Sequence, residues 1–132
     1  MRKYAGTLIA GLTLLAGAVP VMAHHSFAAT YFEDKTVTIE GKLVQFLYRN
    51  PHSFVHIMAA DDKGLEQRWA VEWSGTTQLG NSGVNKETLK VGDHVVIMAR
   101  PSRVPGEYRA LMLTLKRPSD GFAWGSAGQT VD

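Results

Sequence analysis

The sequence predicts an all-β protein, a small five-stranded OB-fold-like Greek-key barrel with a short helical connection between strands 3 and 4. Two observations predict this class. Five stretches are rich in β-branched and aromatic residues with roughly alternating polarity, and Gly, Pro, Asp and Asn residues separate them. Three strands, a short helix and two more strands follow the order of an OB-fold. Another small β-barrel or a sandwich is the alternative.

Residues 1–23 have the pattern of a cleavable signal peptide. Two basic residues precede an apolar run at about 8–19, and the small-residue pattern Val21-x-Ala23 follows a proline. The apolar run is shorter than the about 20 residues that a membrane-spanning helix needs. We therefore expect an exported, periplasmic protein that begins at His24 and has no membrane insertion after cleavage.

Removal of this leader changes the charge of the chain. The whole sequence has 14 Lys and Arg against 12 Asp and Glu, and loss of Arg2 and Lys3 leaves 12 of each. Without net positive charge or a basic run, the chain lacks the electrostatic pattern of a nucleic-acid-binding protein. The sequence has no cysteine, which excludes disulfides and thiolate metal ligands. The mature chain therefore depends on one hydrophobic core.

The predicted elements begin with an N-terminal arm at 24–35 and a first strand at 36–48. The alternation of this strand changes phase near Gly41, so we expect a bulge or a bend there. Asn50-Pro51 predicts a turn, because the residue before a proline is restricted to extended conformations.

The second strand, at 52–60, places alternate side chains on two faces. One face carries Ser53, Val55, Ile57 and Ala59, and the other carries His52, Phe54, His56 and Met58. A hairpin turn at 61–64 leads to a third strand at about 67–74. Trp69, Val71 and Trp73 share one face of this strand, and Arg68, Ala70 and Glu72 lie on the opposite face.

The second half of the chain holds the remaining elements. A polar connection at 76–83 is predicted to contain a short helix, and a fourth strand follows at 93–100. The fifth strand, at 107–116, presents Leu111, Leu113 and Leu115 on one face. The barrel therefore spans 36–117, and the Gly- and Ser-rich segment 118–132 is predicted to be a flexible C-terminal tail.

Several motifs of the mature chain resemble those of the DUF6152 family of small exported bacterial proteins. The resemblance covers nearly all of the mature chain and rests on His24-His25-Ser26-Phe27, Val37-Thr38-Ile39-Glu40-Gly41, Asn50-Pro51-His52, Trp69-Ala70-Val71-Glu72 and Leu89-Lys90-Val91-Gly92-Asp93-His94-Val95. It implies an OB-like β-barrel in the periplasm and assigns no activity. The chain departs from the family pattern at Trp73-Ser74-Gly75-Thr76, where members tend to carry a Gly-Gly-Ser-Pro-like segment.

The candidate metal ligands are histidines. An N-terminal His24 offers its amine and its imidazole to one metal ion, and nitrogen ligands in a tetragonal arrangement favour Cu(II). His52 and His56 lie four residues apart on a strand, roughly 13 Å at about 3.3 Å per residue, so one mononuclear site uses only one of them. We predict a site for copper or a similar divalent metal at His24, His25 and His52, with His56 and Glu72 as less favoured ligands.

The same residues also have plain structural interpretations. The His-His pair is equally consistent with a polar start of the mature chain, and His52 with a turn residue whose ring hydrogen-bonds the backbone. His56 and His94 fit ordinary surface positions. Methionine thioethers at Met58, Met98 and Met112 suit Cu(I), but methionines on strands more often pack in a core.

Aromatic residues around the Asn-Pro turn suggest a second kind of site. Tyr48 and Phe54 flank this turn and are predicted to form an exposed platform on the face that OB-folds use for ligands. Trp69 and Trp73 lie two residues before and two residues after Val71, on the same face of the third strand. This spacing indicates that both pack in the core instead. No nucleophile and base set, phosphate-binding glycine loop or zinc pattern has convincing spacing, so we assign no catalytic residue.

These observations lead to a primary hypothesis and two alternatives. The primary one is a periplasmic binding protein without enzymatic activity that captures copper or a similar divalent metal through its N-terminal histidine. The first alternative is an OB-fold interaction module that binds a peptide, glycan or small ligand and has no metal role. The second is an oxidative copper enzyme, which requires an open coordination position and redox cycling.

Overall fold

The computed structural model describes residues 26–125. Their elements are α1 (Phe27–Thr30), β1 (Val37–Leu47), β2 (Phe54–Ala60), β3 (Glu66–Glu72), α2 (Thr76–Asn81), β4 (His94–Pro101), β5 (Arg109–Arg117) and β6 (Phe122–Trp124). The strand order is β3-β2-β1-β4-β5-β6, and parallel pairing of β3 with β5 closes a five-stranded barrel. The predicted OB-fold-like barrel, with its short helix between the third and fourth strands, is therefore confirmed.

Strand β1 belongs to both halves of the barrel. Its first half pairs with β4 and its second half with β2, and Gly41 takes part in both ladders. A Cβ atom on Gly41 would lie 2.0 Å from the Met58 carbonyl oxygen, so this position requires glycine. The pairing with β2 shifts between Leu43 and Gln45, which makes Val44 the bulged residue. Of the predicted bulge or bend near Gly41, the bulge lies at Val44 instead, and Gly41 allows the close approach of the two strands.

The interior of the barrel is filled by alternate residues of the strands and by Trp73, which follows β3. Trp73 is fully buried, and its ring centroid lies 6.0 Å from that of Phe46 and 4.9 Å from that of Trp124. The core also contains Ile39, Leu43, Val55, Ile57, Ala59, Val71, Leu79, Val95 and Ile97. The predicted inner face of the second strand and the core position of Trp73 are confirmed.

Strand β5 presents a different face to the core from the predicted one. Its core residues are Ala110, Met112 and Leu115, whereas Leu111 is buried outside the core cluster. The ladder with β4 shifts between Met98 and Ala99, which leaves Leu113 as the extra residue on β5. Of the predicted leucine face, only Leu115 lies in the core, because the bulge at Leu113 reverses the alternation of the strand before it.

Two short segments outside the predicted strands, α1 and β6, pack against the barrel. After a turn at 118–121, β6 pairs with β5. At the other end of the described chain, α1 is held against the β4–β5 loop, where the Arg103 amide donates to the Thr30 carbonyl at 2.9 Å and the Phe32 amide donates to the Pro101 carbonyl at 3.0 Å. Within 26–125, no helix is long and apolar enough to span a membrane.

Candidate functional site

A pocket of about 600 Å³ lies where α1, the β1–β2 loop and the outer sides of β2, β3 and β5 meet. It is lined by Phe27, Thr30, Tyr31, Arg49, Asn50, Pro51, His52, Phe54, Glu72 and Arg109. OB-folds commonly hold ligands on the face of strands 2 and 3 and on the neighbouring loops, and this pocket occupies the corresponding position.

Glu72 forms the centre of this pocket. It is the last residue of β3 and lies on the outer side, yet only 5 % of it is exposed. The Tyr31 hydroxyl and the Arg109 guanidinium both donate hydrogen bonds to Oε2, the latter over 2.8 Å. His52 Nδ1 lies 2.6 Å from Oε1. The carboxylate is therefore buried because three side chains from distant parts of the chain surround it.

The protonation states of this cluster follow from its contacts. Burial alone raises the pKa of Glu72, but hydrogen bonds from Tyr31 and Arg109 and the positive charge of Arg109 outweigh burial and hold that pKa below its ordinary value. Burial, reinforced by the neighbouring Glu72 carboxylate, raises the pKa of Tyr31. At neutral pH the pocket therefore contains an ionised Glu72, an uncharged Tyr31 and a charged Arg109.

The loop that carries His52 is anchored to the start of α2. Asn50 Oδ1 accepts hydrogen bonds from the Thr76 amide at 2.9 Å and from its hydroxyl at 3.0 Å. A Cβ atom on Gly75 would lie 2.6 Å from the Pro51 carbonyl oxygen, so close approach of the two segments requires glycine there. The segment that contains Gly75 and Thr76 thus supports the Asn-Pro-His loop.

His52 itself lies before β2 and not within it. The predicted second strand at 52–60 is wrong at its start, because the strand begins at Phe54 and His52 belongs to the loop. Its side chain is 34 % exposed, and its ring centroid lies 5.3 Å from that of Phe27. The plain interpretation, in which the ring hydrogen-bonds the backbone, is also wrong, since Nδ1 contacts the Glu72 carboxylate.

Of the two predicted aromatic ligand-binding residues, the structure brings only Phe54 to the pocket. The guanidinium carbons of Arg49 and Arg109 lie 5.4 and 5.6 Å from the Phe54 ring centroid. Tyr48 packs against the core, and its hydroxyl lies 3.1 Å from the Thr76 carbonyl and 3.2 Å from the Val84 carbonyl. Tyr48 therefore contacts both ends of the α2 region and does not line the pocket.

His56 and His94 are separate from this pocket. His56 Nδ1 accepts a hydrogen bond of 3.3 Å from Arg68 Nε, and burial together with the charges of Arg68 and Arg49 lowers the pKa of His56. His94 pairs with Glu40 at the surface over 2.9 Å. His24 and His25 lie outside the described residues.

Several residues of the pocket are not predicted from the sequence, among them Tyr31 and Arg109. Tyr31 and Arg109 are 78 positions apart along the chain, and no local spacing relates them to each other or to Glu72. The signal in the sequence was Glu72, a carboxylate on a strand directly before the core residue Trp73. A carboxylate that is partly buried requires hydrogen-bond donors around it. That signal indicates that donors exist but not which residues supply them.

The described residues thus form a small OB-fold-like β-barrel with a pocket built around one buried carboxylate. Residues 11–110 match the model of a family described as a family of unknown function, DUF6152. The match covers most of the sequence, so the chain belongs to this family, as its motifs predict. No curated protein and no solved structure matches the chain.

Proposed function

We propose that this chain is an exported, periplasmic protein that binds Cu(II) or a similar divalent metal through His24, His25 and His52, without catalysing a reaction. The observation that carries the proposal is the orientation of His52 by Glu72. Metal-binding histidines usually donate their second ring N–H to a carboxylate, a backbone carbonyl or a water, which fixes the tautomer and increases the basicity of the ligating nitrogen.

The ionised Glu72 determines the tautomer of His52. A carboxylate only accepts hydrogen bonds, so His52 Nδ1, at 2.6 Å from Oε1, carries the proton. In the neutral ring Nε2 is then unprotonated and has a lone pair for a metal ion. Glu72 Oε2 accepts from Tyr31 and Arg109, and Oε1 accepts from His52 Nδ1, so Glu72 acts as the partner of His52 in this proposal and is not itself a ligand.

Chain connectivity supports the participation of the terminal histidines. Phe27 packs on His52 with ring centroids 5.3 Å apart. His25 precedes Phe27 by only two residues in the sequence. Among residues 26–125 there is no cluster of three or more His, Cys, Asp or Glu side chains that could hold a metal. The proposed site takes its other ligands from His24 and His25.

The first test compares two histidine variants of the protein that begins at His24. Cu(II) is titrated and binding is followed by electron paramagnetic resonance, with affinity measured by competition against a chelator of known strength. We expect His52→Gln to lower the affinity by at least about tenfold, through loss of one imidazole ligand. His94→Gln is the matched control, since His94 pairs with Glu40 elsewhere. Equal affinities for the two variants would contradict a role for His52.

A second test concerns the terminal amine. One alanine added before His24 removes the chelate formed by the amine and imidazole of a single residue, so the Cu(II) spectrum and affinity should both change. An unchanged spectrum would overturn the proposal. The intact mass of the protein recovered from the periplasm shows directly whether His24 is the first residue.

The pocket itself supports a second candidate function, the binding of a small ligand without a metal. Its volume of about 600 Å³ and its Phe27 and Phe54 walls suit a small organic molecule. Deletion of His24 and His25 distinguishes the two functions, because it abolishes metal binding and leaves binding of a small ligand unchanged.

A further inference from the structure

The outer face of β2 and β3 carries a group of hydrogen-bond donors outside the pocket. The strand register places His56 opposite Gln45 on one side and Ala70 on the other, with Arg68 opposite the next outward residue, Met58. The Phe54 ring precedes His56 on the same face, with ring centroids 6.4 Å apart. Residues from three strands therefore form one continuous surface.

Arg68 is held on this surface by uncharged partners. Its Nε donates to His56 Nδ1 over 3.3 Å, and its Nη2 donates to Gln45 Oε1 over 2.9 Å. His56 accepts this bond only when Nδ1 is unprotonated, which agrees with its lowered pKa, caused by burial and by Arg68 and Arg49. The positive charge of Arg68 is thus oriented by its neighbours but not neutralised by them.

The positive charge of Arg49 is likewise not neutralised by a carboxylate among residues 26–125. Its guanidinium lies 5.4 Å from the Phe54 ring centroid, at the edge where this surface meets the pocket. Within 26–125, the ion pairs of arginines involve Arg109 and Arg117 and neither Arg49 nor Arg68. Glu66, two residues before Arg68, is exposed and forms no ion pair with it.

We propose that Arg49, His56 and Arg68 form a binding site for the oxyanion group of a small organic acid, a carboxylate or a phosphate. Guanidinium groups bind planar carboxylates and tetrahedral phosphates through paired hydrogen bonds. With Nδ1 accepting from Arg68, the neutral His56 ring carries its proton on Nε2, which adds a donor. The Phe54 ring supplies an apolar contact for the body of the ligand.

The size of the site favours a small acid over a polyanion. Nucleic acids and other polyanions are bound by rows of cations that neutralise many charges. Two arginines and one neutral histidine match one or two oxyanion groups. Arg68 and His56 do not line the pocket, so this site shares only Arg49 and the Phe54 ring with it and does not depend on metal binding.

The test uses nuclear magnetic resonance on the isotope-labelled mature protein, prepared without metal by dialysis. Benzoate and phenyl phosphate are the organic probes, and inorganic phosphate is the inorganic one. We expect the shifts to concentrate at the side chains of Arg49, His56 and Arg68, with tighter binding of the organic probes. Arg49→Gln and Arg68→Gln should each weaken binding by at least about tenfold. Lys116→Gln removes an exposed charge on β5 and should leave affinity unchanged.

The mapping on the wild-type protein tests the site without any substitution, so the result does not depend on the folding of a variant. Shifts centred elsewhere, or binding of inorganic phosphate alone, overturn the proposal. An Arg68→Gln variant that retains the wild-type spectrum and wild-type affinity overturns it as well.

Discussion

At the scale of single residues, Glu72 determines the character of the pocket. Its position on β3 faces outward, and the residue is nevertheless buried because Tyr31 covers it and Arg109 and His52 contact it. A buried carboxylate is stable only when donors satisfy it. The contacts that stabilise this buried carboxylate therefore also form the pocket.

Replacement of Glu72 is expected to affect both stability and metal binding. Glu72→Gln leaves Arg109 without its ionised partner and should lower the free energy of unfolding by about 1–3 kcal/mol in urea titrations. It should also weaken Cu(II) binding by about 10–100-fold, because His52 loses the carboxylate that orients it. Glu87→Gln is the control, since Glu87 forms an exposed pair with Lys86 and should change stability by at most about 0.5 kcal/mol.

If the Glu72→Gln variant is folded by circular dichroism and keeps the wild-type copper affinity, Glu72 does not support a metal ligand. Equal destabilisation by the Glu72 and Glu87 substitutions would contradict the importance of the buried contacts.

Gly41 gives a prediction about backbone packing. Gly41→Ala places a Cβ atom 2.0 Å from the Met58 carbonyl oxygen, so β1 and β2 must separate. We expect the free energy of unfolding, measured by urea titration, to fall by about 1–3 kcal/mol. In Gly80→Ala the new Cβ lies 3.8 Å from the Tyr48 hydroxyl, an ordinary contact, and this variant should be neutral or slightly stabilised. The prediction fails if both variants have the same stability.

At the scale of elements, short segments complete the barrel. Strand β6 has three residues, but it brings Trp124 to 4.9 Å from Trp73, and Trp124 Nε1 donates to the Ser82 hydroxyl at 2.9 Å. The one-turn helix α1 similarly places Phe27 on His52 and leads directly into Tyr31. Both segments are stabilised by tertiary packing, because neither is long enough to be stable alone.

The contribution of β6 can be measured through Trp124. Trp124→Ala removes a half-buried ring and its hydrogen bond to Ser82, so we expect a loss of about 2–3 kcal/mol in the free energy of unfolding. Ala123→Ser changes the exposed residue of the same strand and should alter stability by at most about 0.5 kcal/mol. Similar unfolding midpoints for the two variants would show that β6 adds nothing to the barrel.

At the scale of the whole molecule, Arg117 connects the end of β5 to the segments before β4 and β6. Arg117 at the end of β5 binds Asp93 before β4 at 2.7 Å and Asp120 before β6 at 2.8 Å. Burial raises the pKa of Asp93, but the Lys90 amide and the Arg117 guanidinium outweigh burial and lower it. Hydrogen bonding to Arg117 is the main cause of the lowered pKa of Asp120. The stability of the folded chain therefore depends on pH.

The direction of this dependence follows from the lowered pKa values. A carboxyl group whose pKa is lower in the folded state stabilises that state above its unfolded pKa of about 4, and this contribution is lost as the pH falls through the folded pKa. We expect the free energy of unfolding to decrease from pH 5 downward. Arg117→Gln should reduce this decrease, since the pKa values of Asp93 and Asp120 return towards their ordinary range. Urea titrations between about pH 3 and 7 measure both effects, and identical slopes would contradict them.

The location of the histidines illustrates how far sequence reasoning reaches. The Asn-Pro turn and the alternation after it predict correctly that Val55, Ile57 and Ala59 face the core. The start of the strand is predicted too early, because extension of the alternating pattern to His52 ignored the loop that binds α2. Consequently, the distance expected for two residues four apart on one strand does not apply to His52 and His56. The His52 ring contacts Glu72, and the His56 ring contacts Arg68.

The sequence by itself determined the class of fold, the family, the order of elements and most of the core, because alternation, turn residues and motif spacing are local properties of the chain. The tertiary structure alone decided the bulges at Val44 and Leu113, the strand β6 and the composition of the pocket. Tyr31, His52, Glu72 and Arg109 meet only after the barrel closes and α1 is held against it. Contacts between residues so far apart depend on strand register and packing, which no local pattern encodes.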